Sequence, residues 1–335
     1  MEEKSFFGGT AYLGMPHNEE FKKLVFEGID KYGTNFGASR NNNVTLDVFA
    51  MAEEEAARRS GAEDSIIVSS GYMAAQLVIQ HFSEKVRFLY APDTHPALWL
   101  GQPSPPKISF NEWSEQALDL LKNSEEPILL ITNSLNNLFP EIYGFEWLNE
   151  IDSNRKVTLL VDDSHGLGIT GKNGEGVYPR IPKLQNLETI VIASMAKAIG
   201  VDAGVILGSK EILNELRTSP VYAGASPPAP GMLFAYCKAS AIYSQELEKL
   251  RDNMKFFTGY IGGEKNISYL KEFPVYLLDN ARAGEYLSSK GILISSFAYP
   301  DPTGKALNRV VLNSRHTKEQ MRKLAESVVL LNKKY

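Results

Sequence analysis

The stretch 157–200 constrains this chain more than any other. Residues 158–161, Thr-Leu-Leu-Val, are a short apolar run of the kind a strand buried on both faces needs, and the run stops on Asp162, Asp163 and His165. A second apolar run at 189–193 stops just before Ser194 and Lys197. In an open α/β sheet, ligands bind outside the carboxyl ends of the strands. Parallel pairing of the two runs puts Asp162, His165, Ser194 and Lys197 on one rim, where a site is expected. The separation 197 − 162 = 35 residues is also that of any strand, crossover and strand, so it supports the pairing only weakly.

These residue types suit an aldehyde cofactor with a ring nitrogen. A partly desolvated lysine amine loses its proton and forms a Schiff base, while an aspartate at a strand end holds a pyridinium nitrogen protonated and makes the ring an electron sink. Two rival readings are weaker. Gly166-Leu-Gly168-Ile-Thr-Gly171 spells G-x-G-x-x-G after a strand, but two more glycines and Pro179 follow where a dinucleotide-binding turn opens a helix. The acidic residue required at the end of the next strand is also missing, since Glu188 precedes its strand. Asp162, Asp163 and His165 could ligate a metal, yet the chain has five histidines and no H-E-x-x-H or cysteine cluster, so no metal is expected.

At 335 residues the chain exceeds one usual core, and two lobes are expected. Net charge is 35 − 40 = −5 with no basic cluster, which excludes a nucleic-acid surface. No apolar run reaches membrane-spanning length, so no membrane partner is expected. The single cysteine, Cys237, forms no internal disulfide and lies in an apolar stretch; it reads as a core residue of a cytoplasmic protein.

Along the chain, Phe21, Leu24, Val25, Ile29 and Tyr32 recur at helical spacing behind Asn18, with Gly33 closing the helix. A polar loop at 33–45 carries Arg40, and Glu53-Glu54-Glu55 ahead of Arg58-Arg59 reads as a solvated helix face. Ser70-Gly71-Tyr72 stands between a strand at 65–69 and a helix at 73–82, an arrangement that presents backbone N–H groups to an anion such as a cofactor phosphate. Further strands are expected at 86–90, 107–110, 127–132 and 203–207, and helices at 112–122, 143–152 and 209–218. Such alternation means βαβ units and a mainly parallel sheet. Residues 229–253 read as a long helical bridge, after which strands at 273–278, 292–299 and 309–313 and helices at 280–290 and 317–331 form a small α+β unit. The expected organisation is an N-terminal segment and helix (1–35), a large domain (36–251) and a small C-terminal domain (252–335).

Taken together these residues resemble the α-oxoamine synthase family of fold-type I pyridoxal-phosphate-dependent enzymes. The resemblance covers nearly the whole chain: Tyr12-Leu-Gly14, Ser39-Arg40, Ser70-Gly71-Tyr72, Asp93-Thr-His95, Asp162-x-x-His165 with its glycines to Gly176, Ser194-x-x-Lys197-x-x-Gly200, Pro227-Pro228, and Arg309 with His316. It implies an α/β transferase whose large domain has a mainly parallel seven-stranded sheet, working as a homodimer with pyridoxal 5'-phosphate. Lys197 is implied as the Schiff-base lysine, Asp162 as the partner of the ring nitrogen, His165 as the hydrogen-bond partner of the ring oxygen and His95 as the residue stacked on the ring. Gly71, Tyr72 and Ser194 are implied as phosphate ligands, and Arg309 with Asn137 as substrate-binding residues. The implied reaction condenses an amino acid with an acyl-CoA; transamination or aldol cleavage is the alternative, and a non-catalytic homologue a second one. The chain departs from the family pattern at Thr10, Val44, Phe49, Asn133, Asn137 and Gly224.

Overall fold

Apolar β-branched runs need partners on both edges and cover on both faces, and the chain supplies both. The computed structural model describes residues 4–136, 138–298, 304 and 306–334. In chain order the strands are β1 (Ser5–Phe7), β2 (Asp64–Val68), β3 (Arg87–Tyr90), β4 (Ile128–Asn133), β5 (Leu135–Asn136), β6 (Glu141–Ile142), β7 (Val157–Asp162), β8 (Leu187–Ser194), β9 (Gly204–Gly208), β10 (Ile267–Leu270), β11 (Phe273–Leu278), β12 (Ile292–Ala298) and β13 (Ala306–Val311). The first four α-helices are α1 (Glu19–Tyr32), α2 (Asp47–Ser60), α3 (Gly71–Phe82) and α4 (Phe110–Asn123).

The main sheet has the order β2-β9-β8-β7-β4-β3. Strands β3, β4, β7 and β8 pair in parallel, and β9 runs against both its neighbours. Side chains alternate between two cores, as the period of two requires. Leu159, Val161, Val191 and Val205 join one apolar cluster, while Leu160, Ile190, Ile192 and Ile206 join the other, beneath α3. The sheet has six strands among the described residues, not the expected seven. Residues 107–110 are no strand, because Ser109 caps α4 instead: its hydroxyl accepts the Glu112 N–H (3.2 Å) and the Glu112 carboxylate accepts the Ser109 N–H (2.8 Å). The helix expected at 143–152 shrinks to one 3-10 turn, Glu146–Glu150. Tyr143 just ahead of it is pinned instead, stacked on Phe110 at 4.1 Å.

A second sheet, β1-β12-β13-β11-β10, gathers the C-terminal strands and adds the N-terminal one, β1, parallel to β12. His316 holds that edge, its ring 4.1 Å from the Phe7 ring and its Nε2 2.9 Å from the Phe6 carbonyl oxygen. The expected bridge at 229–253 is two helices, Pro230–Lys238 and Ser240–Ile261, broken at Ala239. The acidic run of α2 is not simply solvated. Glu53 is buried, and its Oε1 accepts from Arg40 Nη2 (3.0 Å) and from the Ile67 N–H (3.0 Å), which ties the polar loop to β2. Among the described residues no helix is long and apolar enough to cross a membrane.

The turn from β2 into α3 is pressed against the ends of β8 and β9. A Cβ on Gly204 would overlap the Ser70 carbonyl oxygen, and one on Gly71 would lie 2.6 Å from Ser194 Cβ. Gly204→Ala should therefore cost about 1–3 kcal/mol through forced backbone movement. Gly224→Ala, which meets no atom within 4 Å, should stay within about 0.5 kcal/mol of the parent. Urea unfolding midpoints compare the two; equal midpoints would show that the Ser70–Gly71 turn is not closely packed.

Candidate active site

Asp162 ends β7 and pairs with Ile192 of β8. The two strand ends are tied by a relay of backbone donors: the Ser164 N–H donates to Asp162 Oδ1 (2.8 Å), and the Ser194 N–H donates to Ser164 Oγ (2.8 Å). Lys197 sits in the turn that follows β8, with Nζ 3.0 Å from His165 Nε2. Across the ring, His165 Nδ1 is 2.8 Å from the Tyr12 hydroxyl. A cavity of about 640 Å³ takes in Asp162, His165, Lys197, His95 and Arg309 in its lining. Residues from four distant stretches thus line one cavity.

Gly71, Tyr72 and Ser194 are not in that lining. They lie together beside it, Gly71 packed on Ser194 three residues ahead of Lys197. Ser70 Oγ accepts the Met73 N–H (3.1 Å), and the Gly71 and Tyr72 N–H groups ahead of it have no acceptor within the helix, so the positive end of α3 is set for an anion. Asn137 lies outside the described residues. Its neighbours organise the wall: Asn133 donates from Nδ2 to the Asp93 carbonyl (2.7 Å) and accepts the His95 N–H (3.2 Å), and Asn136 Nδ2 donates to Asp93 Oδ2 (2.9 Å). Asp93 is held at φ 54, a left-handed conformation unusual outside glycine. These asparagines restrain the turn that carries His95.

Arg309, on β13, is 5% exposed and its guanidinium carbon lies 5.9 Å from the Phe297 ring centroid. Among the described residues its Nε is buried without a partner, and burial pulls its pKa down. An unpaired guanidinium N–H in a cavity wall is a receptor for a carboxylate. Burial likewise lowers the Lys197 pKa, against the pull of the Asp162 and Asp163 carboxylates. The His165 pKa falls well below the usual value through burial, then through the nearby Lys197, Arg309 and His95. His95 presents much of its ring to the open cavity, yet the surrounding protein still lowers its pKa, with Asp162 pulling the other way and Lys197 adding to the fall. A lysine that gives up its proton readily, next to a neutral imidazole, is suited to attack an aldehyde.

Asp163 faces away from this site, as the alternation along a strand requires. It is 2% exposed, its Oδ2 accepts the Val177 N–H (2.8 Å), and a Cβ on Gly166 or Gly176 would overlap its carboxylate oxygens. The glycine-rich loop is therefore wrapped around a carboxyl group, not around a phosphate. Cys237 is also not a nucleophile: burial pushes its thiol up to about 11. Among the described residues no cluster of three or more His, Cys, Asp or Glu is placed to hold a metal ion. Ser164 and Asn136 belong to the site's framework although no motif marked them, and Tyr12, marked only by the Tyr12-Leu-Gly14 resemblance, joins them through its contact with His165.

The donor set fits pyridoxal phosphate. Lys197 would supply the amine and Asp162 the carboxylate, and the free N–H groups at the start of α3 would suit its phosphate.

Burial pushes the Asp163 carboxyl up to about 7, whereas an unfolded aspartate titrates near 4. Between those values the folded chain binds more protons than the unfolded one, so this group's contribution to stability is lost as pH rises from about 4 through 7. Relative to Asp163→Asn, the parent should lose about 2 kcal/mol between pH 5 and pH 8 in paired unfolding curves. A constant difference across that range would show that Asp163 is an ordinary ionised carboxylate.

No family model matches the chain. Among curated proteins it is similar to 8-amino-7-oxononanoate synthase of Petrotoga mobilis, 27% identical over 334 residues that cover 92% of this chain and 84% of that protein. The 8-amino-7-oxononanoate synthase of Aliivibrio fischeri (strain ES114) is 25% identical over 343 residues, 96% of this chain and 87% of that one. Two solved structures share the fold. Serine palmitoyltransferase from S. paucimobilis, with PLP and myriocin bound, superposes with a TM-score of 0.85 at 18% identity, covering 99% of this chain and 88% of that one. The 8-amino-7-oxononanoate synthase of Francisella tularensis gives 0.76 at 22% identity over 100% and 99%. With likeness along nearly its whole length, a mostly parallel sheet and a lysine, aspartate and two histidines gathered at its rim, the chain is similar in sequence to 8-amino-7-oxononanoate synthases and shares its fold with a PLP-bound serine palmitoyltransferase.

Proposed function

We propose that this enzyme is a C-acyltransferase that condenses an amino acid with an acyl-CoA. One observation carries the reading: a single cavity holds Lys197, Asp162, His165, His95 and Arg309 while the rest of its lining, including Trp99, Pro105, Ile108, Leu138 and Phe139, is largely apolar. The polar groups suit an amino acid, and the apolar ones suit an acyl chain.

When bound, pyridoxal phosphate supplies an electron sink conjugated to the substrate's α-carbon. The chain's residues do the rest. Lys197 Nζ would hold the cofactor and, as a free amine, would take the Cα proton as a general base. Asp162 would keep a proton on the ring nitrogen, His165 would donate to the ring oxygen, and His95 would stack on the ring. The Gly71 and Tyr72 N–H groups with the Ser194 hydroxyl hold the phosphate. Arg309 would take the α-carboxylate in a bidentate grip. We read the working unit as a cytoplasmic homodimer; in support, Tyr72 has 64% of its surface exposed in the single chain, an aromatic left for a second copy to cover.

Holoenzyme mixed with glycine, alanine or serine and acyl-CoAs of several chain lengths should release free CoA thiol only when both substrates are present. Asp162→Asn should keep the cofactor yet slow that release roughly 100-fold or more. A free keto acid and the amine form of the cofactor, with no thiol released for any acyl chain, would identify an aminotransferase instead.

A further inference from the structure

Tyr12 has no part in the chemistry above, yet its hydroxyl makes the contact that decides how His165 meets Lys197. The residue is wholly buried, at 0% exposure. Its main chain is fixed on both sides, the N–H donating to the Thr10 carbonyl (2.8 Å) and the carbonyl accepting the Ser314 N–H (3.0 Å). Its ring stands edge-on to Phe273 at 5.9 Å. The hydroxyl therefore has little freedom, and among the described residues its hydrogen-bond partner is His165 Nδ1, at 2.8 Å.

A buried phenol with one partner must give that partner its proton, because an unmade O–H hydrogen bond costs about 1–3 kcal/mol. Burial also raises the Tyr12 pKa, so the phenol keeps its proton. His165 Nδ1 is then an acceptor, and a neutral imidazole that accepts at Nδ1 carries its own proton on Nε2. That Nε2–H faces Lys197 Nζ at 3.0 Å. An ammonium in that position would set donor against donor; a free amine offers its lone pair. Of the other charged groups, Asp162 and Asp163 favour the ammonium at Lys197, while burial first and then Lys197, Arg309 and His95 lower the His165 pKa and keep the imidazole itself uncharged.

We propose that Tyr12 is a positioning residue whose hydroxyl locks His165 in its Nε2–H tautomer, so that the imidazole stabilises the free amine of Lys197. The tautomer and the amine's protonation are properties of the protein alone. Only their use, attack on an aldehyde cofactor and donation to its ring oxygen, rests on the proposed function.

The test uses the cofactor-free protein. Of the five histidines, His165 is assigned in ¹⁵N-labelled protein by comparison with His165→Gln. Its nitrogens should show an unprotonated Nδ1 and a protonated Nε2 throughout pH 6–8; the reverse pattern, or an imidazolium, overturns the proposal without any change to Tyr12. Tyr12→Phe removes only the hydroxyl. It should leave a mixture of tautomers and raise the pH midpoint for reductive methylation of Lys197, followed by peptide mass spectrometry, by about one unit, a roughly tenfold loss of reactive amine at fixed pH. An unchanged tautomer and midpoint in that variant also overturn it. Neither readout depends on thiol release, so a protein with the predicted tautomer and no acyltransfer would refute the function and leave this role of Tyr12 standing.

Discussion

Pairing β7 with β8 in parallel sets Asp162 opposite Ile192, two residues before β8 ends at Ser194, and every other group of the site is placed relative to that rim. The register is fixed by burial. Leu159 and Val161 belong to one core and Leu160 to the other, so a slip of one residue would exchange the cores and turn Asp162 inward. The same alternation sends Asp163 into the glycine loop. Adjacent carboxylates thereby acquire unlike duties, one at the cavity and one as the centre around which Gly166–Gly176 folds.

From that rim the charge states follow. Lys197, His165 and Arg309 are gathered where water is scarce, and each has its pKa lowered first by burial. Mutual proximity of basic groups adds to the effect at His165. The C-terminal sheet contributes Arg309 from β13 and braces Tyr12 through Phe273 and Ser314. Any shift of that sheet against the main one would act on both Arg309 and the imidazole that touches the Lys197 amine. Packing between the sheets and chemistry at the rim are therefore the same problem.

Much of this was legible in the sequence, because strands buried on both faces advertise themselves and their last residues face the ligand edge. Asp162, His165, Lys197 and, through family resemblance, His95 and Arg309 meet in one cavity as expected. What escaped depends on partners far along the chain. Glu53 sits in an acidic run that reads as a solvated face until Arg40 and the Ile67 N–H are brought to it. Residues 107–110 look like a strand, although Ser109 and Glu112 at capping-box spacing were the better signal. Tyr12 lies 153 positions from His165, and no local pattern could have joined them.

The proposed chemistry requires the Lys197 amine, in the turn after β8, to carry the cofactor. Protein loaded with pyridoxal phosphate, reduced with borohydride, digested and mapped by mass spectrometry should carry the reduced cofactor on Lys197. The same treatment of Lys197→Ala should leave the peptides unlabelled. Label on another lysine, or undiminished label in the Lys197→Ala protein, would contradict the account.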